Sequence, residues 1–174
     1  MGLHSIKAGP RATQILSVLA LLFVAGCRSL APFPPTDLSQ GSWHVRQGQA
    51  VWRPNRAAPE IAGEILLATE PGGRSLVQFS KTPFTIALAQ VTPDSWQVEF
   101  LAQKRRVTAP GSPPLKLAWP RSKLPLTFLH VPACFDGQSL GPNWTSRHST
   151  EGSFRLENVS TGESLEGFLD AAPK

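Results

Sequence analysis

The chain has 174 residues, which suits one compact domain, and carries 17 basic against 12 acidic residues for a formal net charge of +5. Lys7 and Arg11 precede residue 27, so the rest keeps only +3, too small and scattered a surplus for a nucleic-acid-binding face; no nucleic acid is expected as a partner. Hydrophobic residues make up 41%, with five Trp and nine Phe to build a core, while 17 Pro break up long helices and favour short strands and loops.

His4, Lys7 and Arg11 make a basic start, and Ile15 to Ala25 is an uninterrupted weakly polar to apolar run, the anatomy of an export signal. As a helix, at about 1.5 Å per residue, the run is shorter than about 20 Å, and a hydrocarbon core needs about 30 Å, so a permanent membrane span is not expected. Val24-Ala25-Gly26-Cys27 follows and resembles the lipobox of bacterial lipoproteins: small residues before an obligatory cysteine. The resemblance implies cleavage before Cys27, a diacylglycerol on its thiol and an acyl chain on the new amine. At about 0.8 kcal/mol per buried methylene, two or three chains hold the protein to a membrane. These covalent lipids are the only non-protein groups expected; no metal or other cofactor is.

Arg28 and Ser29 stand where an Asp would retain an enterobacterial lipoprotein in the inner membrane, so the resemblance implies the outer membrane, with the protein facing the periplasm. The expected organisation is a signal at 1–26, an extended tether at 27–41 stiffened by Pro32, Pro34 and Pro35, and a single β-rich domain at 42–174. With Cys27 acylated, Cys134 has no partner within the chain, and a monomer without an intrachain disulfide is expected.

From Trp43 the pattern turns to period two and runs to Trp52 as a first strand. Further strands are predicted over Glu60 to Thr69, Ser75 to Ser80, Phe84 to Val91 and Trp96 to Ala102, separated by the turn-forming stretches Glu70-Pro-Gly-Gly73, Lys81-Thr-Pro83 and Thr92-Pro-Asp-Ser95. Lys104 to Thr108 extends the meander, and Ala109 to Pro114 reads as a loop. Leu124 to His130 is predicted as one or two helical turns, limited by Pro125 and Pro132. Ser153 to Asn158 and Ser164 to Leu169 flank Ser160-Thr-Gly162 as a closing hairpin. The fold class is mainly β.

Both faces of the strands at Ser75–Ser80 and Phe84–Val91 hold apolar residues, which fits strands covered on both sides or lining a cavity. A β-sandwich explains the pattern as well as a curved sheet does. The segment Leu76-Val-Gln-Phe-Ser-Lys-Thr-Pro-Phe84-Thr-Ile-Ala-Leu-Ala-Gln90, followed by Trp96-Gln-Val-Glu-Phe100, resembles the core of the lipoprotein localisation factors LolA and LolB. That resemblance spans roughly residues 43 to 130 and implies a curved antiparallel half-barrel under a short helical or irregular lid, holding lipoprotein acyl chains in an apolar concavity. In LolB the turn between two central strands presents an apolar side chain to the membrane, and Pro83-Phe84 takes that place here; alternatively Phe84 is simply the first inward residue of its strand. The turn is shorter than in LolB, lacks the Gly after the apolar residue, and the lid segments are reduced to a stretch near Leu124. The candidate ligand-contacting residues are Val77, Phe79, Phe84, Ile86, Leu88, Trp96, Val98 and Phe100.

Gly137-Gln-Ser139-Leu-Gly141 spells GxSxG, yet no apolar strand precedes it, no helix pattern follows, and nothing acidic lies between Ser139 and His148. His130 and Cys134, four apart, lack a third member for catalysis or metal binding, and His44, His130 and His148 are too scattered for a zinc site. Lys104-Arg105-Arg106 reads as a solvated strand end. The expected function is non-enzymatic: an outer-membrane-anchored lipoprotein that binds lipid or lipoprotein acyl chains, the alternative being an envelope assembly or scaffold lipoprotein that binds a protein partner.

Overall fold

A single antiparallel sheet of nine strands makes up most of the fold. The computed structural model describes residues 33, 36–39, 42–114 and 124–170; Cys27, the expected export signal and most of the expected tether lie outside the described residues. Among the described residues the strands are β1 (His44–Arg53), β2 (Ile61–Thr69), β3 (Ser75–Lys81), β4 (Phe84–Val91), β5 (Ser95–Phe100) and β6 (Arg105–Pro110), then β7 (Trp144–His148), β8 (Ser153–Asn158) and β9 (Ser164–Leu169), with one α-helix, α1 (Thr127–Phe135), between β6 and β7. Their spatial order is β6-β5-β4-β3-β2-β1-β9-β8-β7, so the sheet is open, with β6 and β7 at its edges. One sheet replaces the β-sandwich alternative.

The register explains how one face became the core. Leu67, Val77, Ala89, Val98 and Val107 stand opposite one another across five strands, and a second row runs through Ile65, Phe79, Ala87 and Phe100. On the other half of the sheet Leu156, Leu165 and Trp52 align in the same way. Except for half-buried Val107, all of these are 9% exposed or less. Because side chains alternate across a strand, a one-residue slip would turn the whole set to water, and burial therefore fixes the register.

Helix α1 lies on this inner face and packs against β2, β3, β4, β5, β7, β8 and β9. A flat sheet would spread those strands over roughly 30 Å at about 4.8 Å spacing, beyond the reach of one helix about 10 Å across. The sheet therefore wraps around α1. Two glycines permit the bend: a Cβ on Gly48 would collide with the Phe168 carbonyl oxygen, and one on Gly167 with the Gln49 carbonyl oxygen. Between Phe79 and Ser80 the β3–β4 register shifts, leaving Ile86 as the extra residue of a bulge, packed against the core.

The two-sided apolar pattern of β3 and β4 has a separate cause. Ala68 and Leu76 face the outer side and are 0% and 6% exposed. Residues preceding β1 lie across that side, where the Phe33 amide donates to the Gln97 side-chain oxygen (3.0 Å) and the Gln90 amide group donates to the Thr36 hydroxyl (3.0 Å).

Four boundaries differ from the sequence reading. Phe100 ends β5, and Leu101–Gln103 form a 3₁₀ turn closed by Lys104 at φ 52°. β6 extends through Pro110, into the stretch read as a loop; its position on an edge leaves the missing proline N–H without consequence. α1 starts later than expected and runs through Pro132 to Phe135. A mid-helix proline costs about 3 kcal/mol in isolation, and here the burial of Phe128, Leu129, Val131 and Cys134 offsets it. Strand β7 was not foreseen: its burial pattern after Trp144 is entirely exposed, so Trp144–His148 carries no alternation to read.

Candidate functional site

The inner face is an aromatic cluster. Trp52 meets Phe100 edge-on with ring centroids 5.6 Å apart and Phe79 at 6.3 Å, while Phe128 of α1 stacks on Phe79 at 5.3 Å and tilts against Trp52 at 5.5 Å. Fully burying one such side chain contributes about 1.5–3 kcal/mol, and each ring pair adds about 0.5–1.5 kcal/mol.

Five of the eight sequence candidates, Val77, Phe79, Trp96, Val98 and Phe100, come together on this face, and Ile86 joins them from the bulge. In this conformation they face the protein's own side chains and α1. Leu88 does not belong to the group: it pairs with Gln78 and Glu99 on the outer side and is half-buried. Phe84 stands apart too, at the tip of the β3–β4 turn, paired with Lys81 and 73% exposed.

Three groups that sequence reasoning missed complete the site. Phe128 supplies the ring that covers the cluster, and Trp52 its centre. The third is Glu163. The turn before β9 is built around Asn158, whose side-chain oxygen accepts from the amides of Ser160 (3.0 Å) and Thr161 (3.2 Å) and whose carbonyl accepts from Gly162 (2.7 Å) at φ 71°. This turn carries Glu163 inward, where one carboxylate oxygen accepts from the Trp52 indole N–H and from the Thr127 backbone N–H, both at 3.3 Å. No side chain of α1 caps its own N-terminus and its first turn holds no acidic residue, so Glu163 serves as the cap from outside. Burial away from water pushes its carboxyl up to about 7. A period-two signal for this residue was present: Glu163 is in phase with Leu165 and Leu169, both buried.

No protein-family model and no curated protein sequence matches the chain. Geometry and chemistry therefore carry the functional argument.

The remaining sequence candidates are spoken for by other contacts. Burial pushes the Cys134 thiol up to about 11, and it donates to the Arg147 carbonyl (3.7 Å). Burial lowers His130 to about 4; its ring contacts Trp144 (4.6 Å) and makes a hydrogen bond to the Pro114 carbonyl, while Nε2 has no partner. At neutral pH the two therefore form no thiolate–imidazolium pair. Ser139 is exposed in the loop after α1, and it and His130 line a polar cleft of about 620 Å³ between α1 and the ends of β2, β3 and β4. His148 lies on edge strand β7 with its ring 5.8 Å from that of Phe135. Of the basic run, Arg106 forms a two-oxygen ion pair with Glu99 across the β5–β6 ladder. Among the described residues no cluster of three or more His, Cys, Asp or Glu could hold a metal ion.

Proposed function

We propose that this chain is an outer-membrane-tethered lipoprotein of the periplasmic side that takes up lipid or lipoprotein acyl chains on the inner face of a LolB-like curved sheet, delivering or receiving them at the bilayer through the β3–β4 turn. The observation that carries the reading is Phe84. A phenylalanine 73% exposed at a turn tip, with Lys81 beside it, has no packing role in the fold. It presents an apolar side chain to a membrane and a cation to its headgroups.

The inner face supplies the second half of the reading. Its row of Val77, Phe79, Val98 and Phe100 offers an acyl chain continuous apolar contact, and α1 occupies that space. An acyl chain enters only as α1 yields. The helix is seated less firmly than its apolar burial suggests: Pro132 interrupts its hydrogen bonding, and His130 Nε2 is buried without a partner among the described residues. Such an orphan costs about 1–3 kcal/mol.

The test uses residues 27–174 with Cys27→Ala, produced without the leader, and a fluorescent fatty acid. Saturable binding in the micromolar range, competed away by unlabelled palmitate, supports the reading. No binding by the folded chain removes it.

A second reading, a scaffold lipoprotein that binds a protein, is favoured by the outer side of β9, β1, β2 and β3, where an open cleft of about 630 Å³ runs beside the 44% exposed Phe168. In that case Phe168→Ser abolishes partner capture from envelopes and leaves fatty-acid binding untouched.

A further inference from the structure

Glu163 and His130 are both buried where α1 meets the sheet, and among the described residues neither meets an opposite charge. Glu163, 6% exposed, ties the first turn of α1 to Trp52. His130, 3% exposed, sits one turn further along the same helix against Trp144. Removing an acid and a base from water without counter-charges favours the neutral form of each. The folded chain thus keeps a proton on Glu163 that the unfolded chain releases, and keeps off His130 a proton that the unfolded chain takes up.

We propose that Glu163 and His130 are a compensating pair that makes the seating of α1 insensitive to pH. Neutralising either one converts the helix seat into a pH switch, and the two switches run in opposite senses.

The signs follow from linkage. A solvated Glu ionises near 4.5 and the buried Glu163 near 7, so its contribution is whole below pH 4.5 and is lost as pH rises to about 7. A solvated His protonates near 6.5 and the buried His130 near 4, so its contribution is whole above pH 6.5 and is lost as pH falls to about 4. The windows overlap, and within the overlap one slope cancels the other.

The surrounding charges leave this balance in place. On the Glu163 side, Arg56 of the β1–β2 turn donates to the Val159 carbonyl (2.9 Å), Arg53 is paired with Glu60, and Glu157 is held by Arg155. Around His130, the cleft brings His44, Asp136 and the Glu70–Arg74 ion pair. Cys134, on the same helix, titrates far above this range.

The experiment measures guanidinium unfolding of the full lipidated chain in detergent micelles between pH 4 and 8, for wild type, Glu163→Gln and His130→Gln. Ratios to wild type cancel the surface carboxylates common to all three. The unfolding constant of Glu163→Gln relative to wild type should fall by up to about tenfold per pH unit as pH rises through the overlap, and that of His130→Gln should rise by as much. Ratios independent of pH, or changing in the same direction, overturn the proposal. The double variant should restore the wild-type profile, and an uncompensated slope in it counts against the pairing. A measurement on unaltered protein covers the case of a variant that does not fold. At pH 6 the wild type should show the infrared band of a protonated carboxyl and the ¹⁵N shifts of a neutral imidazole, and absence of either refutes the idea. The readouts are protonation and unfolding and do not measure ligand uptake, so their failure is separate from failure of the acyl-chain reading.

Discussion

Replacing Phe84 by Ser separates membrane engagement from folding. The ring is 73% exposed, and surface substitutions of this kind change stability by less than about 0.5 kcal/mol. Placing the exposed part of a Phe in an apolar phase gains about 2 kcal/mol, within the range of about 1.5–3 kcal/mol for a whole side chain. At about 1.4 kcal/mol per factor of ten, that is roughly a 30-fold loss in membrane partitioning. The assay is co-sedimentation of the unacylated chain with vesicles of phosphatidylethanolamine and phosphatidylglycerol, paired with an unfolding curve. An unchanged midpoint with partitioning down by that factor is the expected result. Undiminished partitioning refutes the membrane role of the turn, and a large fall in midpoint shows that Phe84 serves the fold instead.

Lys81→Gln should weaken binding to the same vesicles about fivefold at low salt, the effect of about 1 kcal/mol per basic residue near an anionic surface, and should have no effect in high salt. Phe128→Ala removes a ring that is 0% exposed and touches both Trp52 and Phe79, and denaturant unfolding should show a loss of about 3–5 kcal/mol. Gly48→Val drives a side chain into the Phe168 carbonyl and should prevent folding, seen as loss of near-ultraviolet dichroism, whereas Gly72→Ala, with open space around its position, should be tolerated. Cys27→Ala should abolish incorporation of labelled palmitate into the chain; continued incorporation would contradict lipidation at that cysteine.

The first five strands are legible because each is an apolar or alternating run bounded by a turn of Gly, Pro, Asp or Ser, and the two signals agree on the boundaries to within one or two residues. That agreement lapses between Pro110 and His148 and returns at β8 and β9, whose bounds, Ser153–Asn158 and Ser164–Leu169, are those read from the alternation around Ser160-Thr-Gly162. α1 was read too short because two prolines suggested a stop, and local propensity cannot report that a helix wrapped by seven strands tolerates Pro132. β7 was invisible because an edge strand with four exposed residues has no apolar face, and its pairing with β8 is supplied by a partner later in the chain. The two-sided apolar pattern of β3 and β4 was seen but had two readings. Separating them required knowing that residues before β1 cover the outer side at Gln90 and Gln97.

The site was legible in its apolar half alone. Val77, Phe79, Val98 and Phe100 share a face because alternation puts them there, whereas Leu88 fell on the other side because the bulge at Ile86 shifts the phase of β4 by one residue. Phe128 and Trp52 were read as parts of secondary structure, and their meeting across 76 residues of chain is a property of the sheet's curvature. Glu163 follows the polar turn Asn158–Gly162, which masks it, although its phase with Leu165 marks it as inward-facing. A charged residue in step with a buried row is the kind of local conflict that points to a functional or positioning role.

Photo-crosslinking with a palmitate analogue carrying a diazirine near its methyl end tests the acyl-chain claim most directly, with the labelled residues read by mass spectrometry of the folded, unacylated chain. The account predicts adducts on Val77, Phe79, Val98, Phe100 and the first turn of α1, competed away by unlabelled palmitate. Adducts confined to Leu66 and Phe168 on the outer side, or labelling that palmitate does not compete, would contradict it.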